Sequence, residues 1–275
     1  MRLIRAAALT AVVTLSLLAS GCGSADDPAP TGEGTRSAPA GDSTSSAPTA
    51  PGPKVVASTS WVGALAKAAG ASEVTLVAPA DVEHPPDYKP KARDLKAAAD
   101  ADYVLYAETD GFAPRLIKAA GDDSELITVI PVEATPGKIT TEVTRLATTF
   151  GTSDAAKAWL STFNAEYTAL SAQAKAALPN PAPTAVSELF VGYWSSLAGI
   201  EVTDVYGPQP VTASERADLT AKKPDLVFIN AHVPDADPKI PGVTKVKLVN
   251  YPGKDLDLLA MFRTNTERLI TALTS

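Results

Sequence analysis

Cysteine is nearly missing from this sequence: among 275 residues there is one, Cys22. That excludes an intramolecular disulfide framework and any zinc or iron–sulfur site made of several thiolates. Histidine is almost as scarce, so chemistry that needs imidazole has to use His84, His232 or both. No Gly-x-Gly-x-x-Gly or Gly-x-x-x-x-Gly-Lys-Ser/Thr run is present to cradle a nucleotide phosphate. No Gly-x-Ser-x-Gly elbow is present to expose a nucleophilic serine. Basic residues are outnumbered, 24 Lys and Arg against 31 Asp and Glu, for a formal net charge of −7. That is the wrong sign for a nucleic-acid partner, because phosphate binding depends on cationic side chains that displace counterions. These gaps point to binding of a cationic or neutral ligand, with no catalysis expected.

Apolar material is plentiful. Hydrophobic residues make up 45% of the chain, enough for a globular core. The first stretch of it is not core. Arg2 and Arg5 form a basic leader and Ala6 to Leu18 carries no charge, too short for a spanning helix of ~20 residues but suited to the apolar region of a signal peptide. Leu17-Leu18-Ala19-Ser20-Gly21-Cys22 then resembles a bacterial lipobox, in which a cysteine is diacylated and becomes the new N-terminus. Residues 1–21 are expected to be a signal peptide, with Cys22 as the lipid anchor. From 23 to 53 Ser, Thr, Ala, Gly and Pro dominate and no large apolar side chain occurs, a composition that cannot build a core. Residues 22–53 therefore read as the lipidated cysteine and a disordered tether. Only Arg2, Arg5, Arg36, Asp26, Asp27, Glu33 and Asp42 are charged in this part, so the acidic excess belongs mainly to the remainder.

Beyond residue 53 short β-rich runs alternate with helical stretches. Lys54 to Ser58, Val74 to Ala78, Tyr103 to Ala107 and Leu126 to Val132 are continuous apolar runs of the kind buried in parallel sheets. Val62 to Ala69, Ala92 to Ala99 and Phe112 to Ala120 between them have helical composition. The pattern repeats with strand-like Ala185 to Phe190, Val202 to Tyr206, Leu226 to Asn230 and Val246 to Val249, and helical Gly192 to Leu197, Ser214 to Ala221 and Leu256 to Leu273. From Ser153 to Leu178 there is no Gly or Pro, and Trp159, Phe163, Tyr167, Leu170, Ala174 and Leu178 recur every three or four residues, which predicts one amphipathic helix. Ser153 is the expected cap and Pro179 the stop. The predicted class is α/β: an N-terminal lobe (54–152), a backbone helix (153–178) and a C-terminal lobe (179–275), with parallel sheets and a ligand site in the cleft between the lobes.

Ligands of open α/β sheets bind beyond the carboxyl ends of the strands, which directs attention to post-strand loops. The loop Asp81 to Pro90 holds His84 between Glu83 and two prolines, and Asn230 to Asp237 places His232 directly after an apolar strand. The chain's two histidines thus fall in post-strand loops of different lobes, which favours a binding role over a structural or surface one. Glu188 lies inside the apolar run Ala-Val-Ser-Glu-Leu-Phe; it faces the cleft, pairs, or alternates outward to solvent. Trp61, Tyr193 and Trp194 are candidates for either cleft wall or core.

These residues carry a family resemblance. Residues 87–108, Asp-Tyr-Lys-Pro-Lys-Ala-Arg-Asp-Leu-Lys and onward to Tyr-Ala-Glu, are similar to the Asp-Tyr-Glu-Pro segment of the substrate-binding proteins of zinc and manganese ABC importers, the cluster A-I or TroA-like metal-binding family. The early strand Val-Val-Ala-Ser-Thr-Ser-Trp and residues 187–199 add to the match, with Glu188 where the family has a histidine or glutamate ligand. The resemblance implies two α/β lobes on one backbone helix and a Zn2+ site, with Mn2+ as the other family metal; His84 and Glu188 stand for family ligands, and His232, entering the same cleft from the second lobe, would compensate for the ligand the chain lacks. Asp235, Asp255 or water would complete the site. It further implies delivery to a membrane ABC permease by a monomer tethered to the outer face of the bacterial cytoplasmic membrane. This chain departs from the common family pattern in three places. Pro86, not histidine, precedes the Asp-Tyr pair; no histidine lies between Pro131 and Phe150; and no carboxylate stands at Asn250 or Tyr251. A siderophore or other organic or chelated ligand, and an adhesin that keeps the fold, are the alternative functions.

Substituting Cys22→Ala is expected to release the protein into the soluble fraction, because acylation supplies ~0.8 kcal/mol per buried methylene. Fractionation of cells expressing the variant checks this; retention on the membrane after signal removal would contradict the lipid anchor.

Overall fold

The structure is a computed structural model and describes residues 51–121 and 125–275. The expected signal peptide, Cys22 and the tether up to residue 50 lie outside the described residues. The first lobe runs β1 (Lys54–Ala57), α1 (Ser60–Ala68), β2 (Glu73–Leu76), a 3-10 turn (Pro85–Asp87), α2 (Ala92–Ala99), β3 (Tyr103–Ala107), α3 (Ala113–Ala119), β4 (Ile127–Ile130) and α4 (Pro136–Phe150). α5 (Ser153–Ala176) follows. The second lobe runs β5 (Thr184–Glu188), a 3-10 turn (Gly192–Trp194), α6 (Ser195–Ala198), β6 (Glu201–Tyr206), α7 (Ala213–Ala221), β7 (Leu226–Asn230), a 3-10 turn (Pro234–Ala236), β8 (Thr244–Leu248) and α8 (Leu258–Leu273).

Each lobe holds one parallel sheet, β2-β1-β3-β4 in the first and β6-β5-β7-β8 in the second. The two orders are the same, so one βα arrangement is used twice, and the α/β class expected from the apolar runs is the class observed. Side chains alternate across each sheet as a period of two requires. Val55, Ala57 and Leu105 enter the large core, while Val56 and Val104 enter a second cluster with Leu116 on the opposite face. In the second lobe Ala185 and Phe228 enter the large core, and Val186, Val227 and Ile229 the opposite cluster. The edge strand β2 is half exposed rather than buried.

The large core is shared between the lobes, and α5 is the element that joins its two halves. Its buried face is Ala156, Phe163, Leu170, Ser171 and Ala174. Phe163 meets Phe262 of α8 edge-on at 5.5 Å and stacks with Trp159 at 5.1 Å. The Ser171 hydroxyl donates to Leu197 O at 2.8 Å. At the other end of the helix the Thr152 hydroxyl donates to Ala69 O, and Gly70, with φ of +97°, leaves room where a Cβ would lie 2.8 Å from Thr152 Cβ. Ser153 does not cap: the N-cap is Thr152, whose side chain serves the first lobe instead of the helix. The 24 residues span roughly 36 Å at 1.5 Å each.

Two local departures from the sequence reading have physical causes. Pro136–Phe150 is a helix that the sequence reading does not identify, because threonine-rich segments have weak helix propensity. Here the hydroxyls of Thr141, Thr148 and Thr149 turn back to carbonyls one turn earlier, and Ile139, Val143, Leu146 and Ala147 form the buried stripe. The last helix starts at Leu258, not Leu256, because Leu256 adopts φ of 57° and Asp257 Oδ1 accepts from Ala260 N at 3.1 Å as a cap. Among the described residues no helix is long and apolar enough to cross a membrane.

Phe163→Ala is expected to lower the unfolding free energy by ~3–5 kcal/mol, the usual loss for a fully buried phenylalanine. Because the stripe serves both lobes, calorimetry should show a single transition in wild type and variant alike. Two separable transitions in the wild type would contradict a shared core.

Candidate functional site

The lobes turn the carboxyl ends of their sheets toward one cavity of about 220 Å³, and every strand sends a residue into its wall. Trp61 follows β1; His84, Pro86 and Asp87 follow β2; Thr109 follows β3; Val132 follows β4. From the second lobe come Phe190 after β5, Pro208 after β6, Asn230, His232 and Val233 at and after β7, and Asn250 and Tyr251 after β8. This is the crevice beyond the strands' carboxyl ends at which open α/β sheets take ligands.

The loop that presents His84 is braced from behind. Asp94 Oδ2 accepts from Lys91 N at 2.7 Å and from the Tyr88 hydroxyl at 3.3 Å, and the Tyr88 ring meets Phe112 edge-on. Gly111 N donates to Pro86 O at 3.2 Å. Tyr88 and Asp94 of the 87–108 segment are thus props for the loop, whereas Asp87 lines the cavity beside His84. His84 Nδ1 lies 2.9 Å from Asp87 Oδ2, without the alignment of a hydrogen bond, and the imidazole is half exposed.

His232 is held more tightly. Asn230 Oδ1 accepts from His232 N at 3.0 Å, which closes the turn after β7. The ring stands edge-on to Tyr251 at 4.7 Å. Across the cleft its Nδ1 lies 3.2 Å from Glu83 O of the first lobe. A carbonyl cannot donate, so Nδ1 carries the proton and Nε2 keeps its lone pair. Nε2 is buried and has no hydrogen-bond partner. Burial holds the imidazole below its ordinary pKa, the Glu83 carbonyl opposes this, and the nearby His84 reinforces it. The result is a neutral imidazole with a free nitrogen, the form that ligates metal.

Glu188 lies one layer behind the wall. It is fully buried; its Oε2 accepts from Phe190 N at 3.0 Å, while Oε1 has no partner. Asn250 Nδ2 donates to Phe190 O at 2.7 Å. Both backbone groups of Phe190 are therefore tied down, which aims its ring at the cavity. Gly207, with φ of +78°, passes so close that a Cβ there would lie 3.4 Å from Glu188 Cγ. Burial pushes the Glu188 carboxyl above its ordinary value, against the pull of the Phe190 N–H, the Asn230 amide and the Leu189 N–H. Asp235 and Asp255 are exposed and outside the cavity wall. Among the described residues no group of three His, Cys, Asp or Glu is arranged to hold a metal ion.

The aromatic alternatives divide. Trp194 is core, Tyr193 donates to Asn250 Oδ1 at 2.8 Å, and Trp61 does both jobs, buried with its Nε1 donating to Pro131 O at 2.9 Å yet facing the cavity. Phe190, Thr109 and Asp110 carry no motif in the sequence, and Asn250 and Tyr251 stand out there only for lacking a carboxylate. All five directly follow strands, so position was the available signal. Asp110 is only 5% exposed, with Oδ2 accepting from Ala107 N at 2.7 Å and Oδ1 without a partner. Burial raises its pKa, opposed by the Ser58 hydroxyl and the Ala107 N–H.

No protein-family model matches the sequence and no curated protein does. Solved structures do match. The SBP FpvC of Pseudomonas aeruginosa in complex with Ni2+ superposes with a TM-score of 0.60 at 19% identity, over 80% of this chain and 96% of that one. The chain shares the fold of a metal-bound binding protein. The Zn(II)-bound ZnuA-like domain of Streptococcus pneumoniae AdcA matches with a TM-score of 0.55 at 14% identity, over 81% of this chain and 99% of that one. The laminin-binding protein Lmb of Streptococcus agalactiae, described as having adhesin and metal-transporting activity, matches with a TM-score of 0.57 at 16% identity, over 81% of this chain and 100% of that one.

The buried Glu188 carboxyl yields a stability prediction. A carboxyl whose folded pKa is raised favours folding below its unfolded value, about 4.5, and that contribution is lost as pH rises through the folded pKa. Glu188→Gln should therefore gain on wild type in melting temperature as pH is raised from 4 to 8 without metal. A difference that is flat with pH would contradict a buried, strained charge.

Proposed function

We propose that this chain is a non-catalytic, lipid-anchored extracytoplasmic protein that captures a divalent transition metal, zinc first, and passes it to an ABC permease. One observation carries the reading: the chain's only two histidines, one from each lobe, line one cavity, and His232 offers a buried nitrogen with no partner. Neutral imidazole favours zinc over magnesium or calcium among the abundant cations. Donors from both lobes couple capture to the approach of one lobe to the other, and a permease can read that approach. The resemblance in residues 87–108 and the fold shared with Ni2+- and Zn(II)-bound proteins support the same class, and the lipobox-like stretch ending at Cys22 supports the location.

The two histidines are the proposed metal donors. Glu188, the third ligand expected from the sequence, sits behind the wall and acts on the site indirectly, through its hold on Phe190. Among the described residues no observation favours adhesion over capture.

His84→Ala and His232→Ala should each weaken Zn2+ binding at least about tenfold, the loss expected for one donor, and Glu188→Ala should act in the same direction more weakly. Wild-type binding should also fall as pH drops below the ordinary imidazole value of about 6.5, because His232, held under that value by burial, takes up its proton only there. Calorimetric titration of the purified chain tests this. Unchanged Zn2+ affinity in both histidine variants would overturn the site.

A further inference from the structure

Two imidazoles do not complete a metal site, and the rest of the cavity wall has little to add. The Asn230 amide oxygen already accepts from His232 N. Asn250 is spent on three bonds, its oxygen accepting from Tyr193 and Trp194 and its nitrogen donating to Phe190 O. Asp87 is the one acid in the wall; its Oδ2 lies 2.9 Å from His84 Nδ1, but the side chain is 82% exposed, so solvent screens its charge. No third His, Cys, Asp or Glu of the described residues joins the two histidines in a metal-holding group. A doubly charged ion set between two neutral imidazoles would be short of donors, with only the solvent-screened Asp87 in the wall as counter-charge, and burying it so is costly.

The space points the same way. A cavity of about 220 Å³ is many times the roughly 10–15 Å³ that one water needs on the same measure. An ion with two waters to finish a tetrahedral shell would fill well under half of it. The remainder is walled by Trp61, Val132, Phe190, Pro208 and Tyr251, which offer faces and edges to an organic body and poor partners to water. Two independent observations, an incomplete donor set and an apolar-walled excess of volume, ask for the same thing.

We propose that the cargo is a metal chelate: a divalent ion already held by a small anionic chelator that supplies the missing oxygen or nitrogen donors and the negative charge. His84 and His232 occupy the two coordination positions left open. The chelator's flat or apolar body lies against Phe190, Trp61 and Tyr251. This rests on the metal reading above and narrows it, since the site then recognises the organic body as well as the ion.

The test uses the mature chain and three titrations followed by calorimetry and native mass spectrometry: Zn2+ alone, Zn2+ with one equivalent of pyridine-2-carboxylate, and Zn2+ with one equivalent of citrate. With at least one chelator the expected result is a 1:1:1 complex of protein, zinc and chelator, bound at least about tenfold more tightly than zinc alone. His84→Ala and His232→Ala should lose that complex, and Phe190→Ala should reduce the ratio of chelate affinity to free-zinc affinity severalfold. If zinc alone binds and both chelators merely strip it from the protein, the chelate proposal is overturned while the metal reading stands. If zinc binds in no form, both fall.

Discussion

The constraint on which the rest depends is the apolar stripe of α5. A helix of about 36 Å that buries Phe163, Leu170 and Ala174 in a core drawn from both sheets leaves the lobes little freedom to swing apart. Opening the cleft widely would expose the Phe163 and Phe262 rings, which meet edge-on at 5.5 Å. The Arg263 guanidinium of α8 also reaches the Glu166 carboxylate on α5, a surface pair that adds alignment more than stability. The proposed capture would therefore work by small adjustments around a cavity whose shape is set in advance, and preorganisation of this kind lowers the entropy lost on binding.

Because the lobes repeat one strand order, the same topology brings two sets of carboxyl-end loops face to face. Each set hides a carboxylate with one unpartnered oxygen, Asp110 in the first lobe and Glu188 in the second. Each is pushed above its ordinary pKa by burial. Buried groups of this kind destabilise a fold and gather at functional sites. Here they brace neighbours as well: Asp110 holds the end of β3 through Ala107 N, and Glu188 holds Phe190.

His232 links these features. Its proton faces the Glu83 carbonyl of the opposite lobe, so the interlobe contact itself decides which nitrogen is free to ligate. Its ring edge on Tyr251 sets the orientation. An imidazole fixed in tautomer and direction by neighbours loses little freedom on meeting a metal, the usual role of groups surrounding a ligand.

The sequence by itself determined the parallel α/β class and the long helix, because continuous apolar runs and a Gly- and Pro-free stripe with helical spacing are local properties that tertiary packing had no reason to override. It also limited imidazole chemistry to His84 and His232. What it could not decide was who stands beside whom. α4 escaped because threonine-rich residues form a helix there only once Ile139, Val143 and Leu146 have a core to enter. Glu188 reads as a cleft carboxylate by position, yet it sits behind Phe190, since a strand's last side chain can turn into its own lobe. Asn250, Tyr251 and Phe190 became parts of the wall only when two sheets distant in sequence met end to end. Cavity walls are long-range contacts, and no spacing within one segment encodes them.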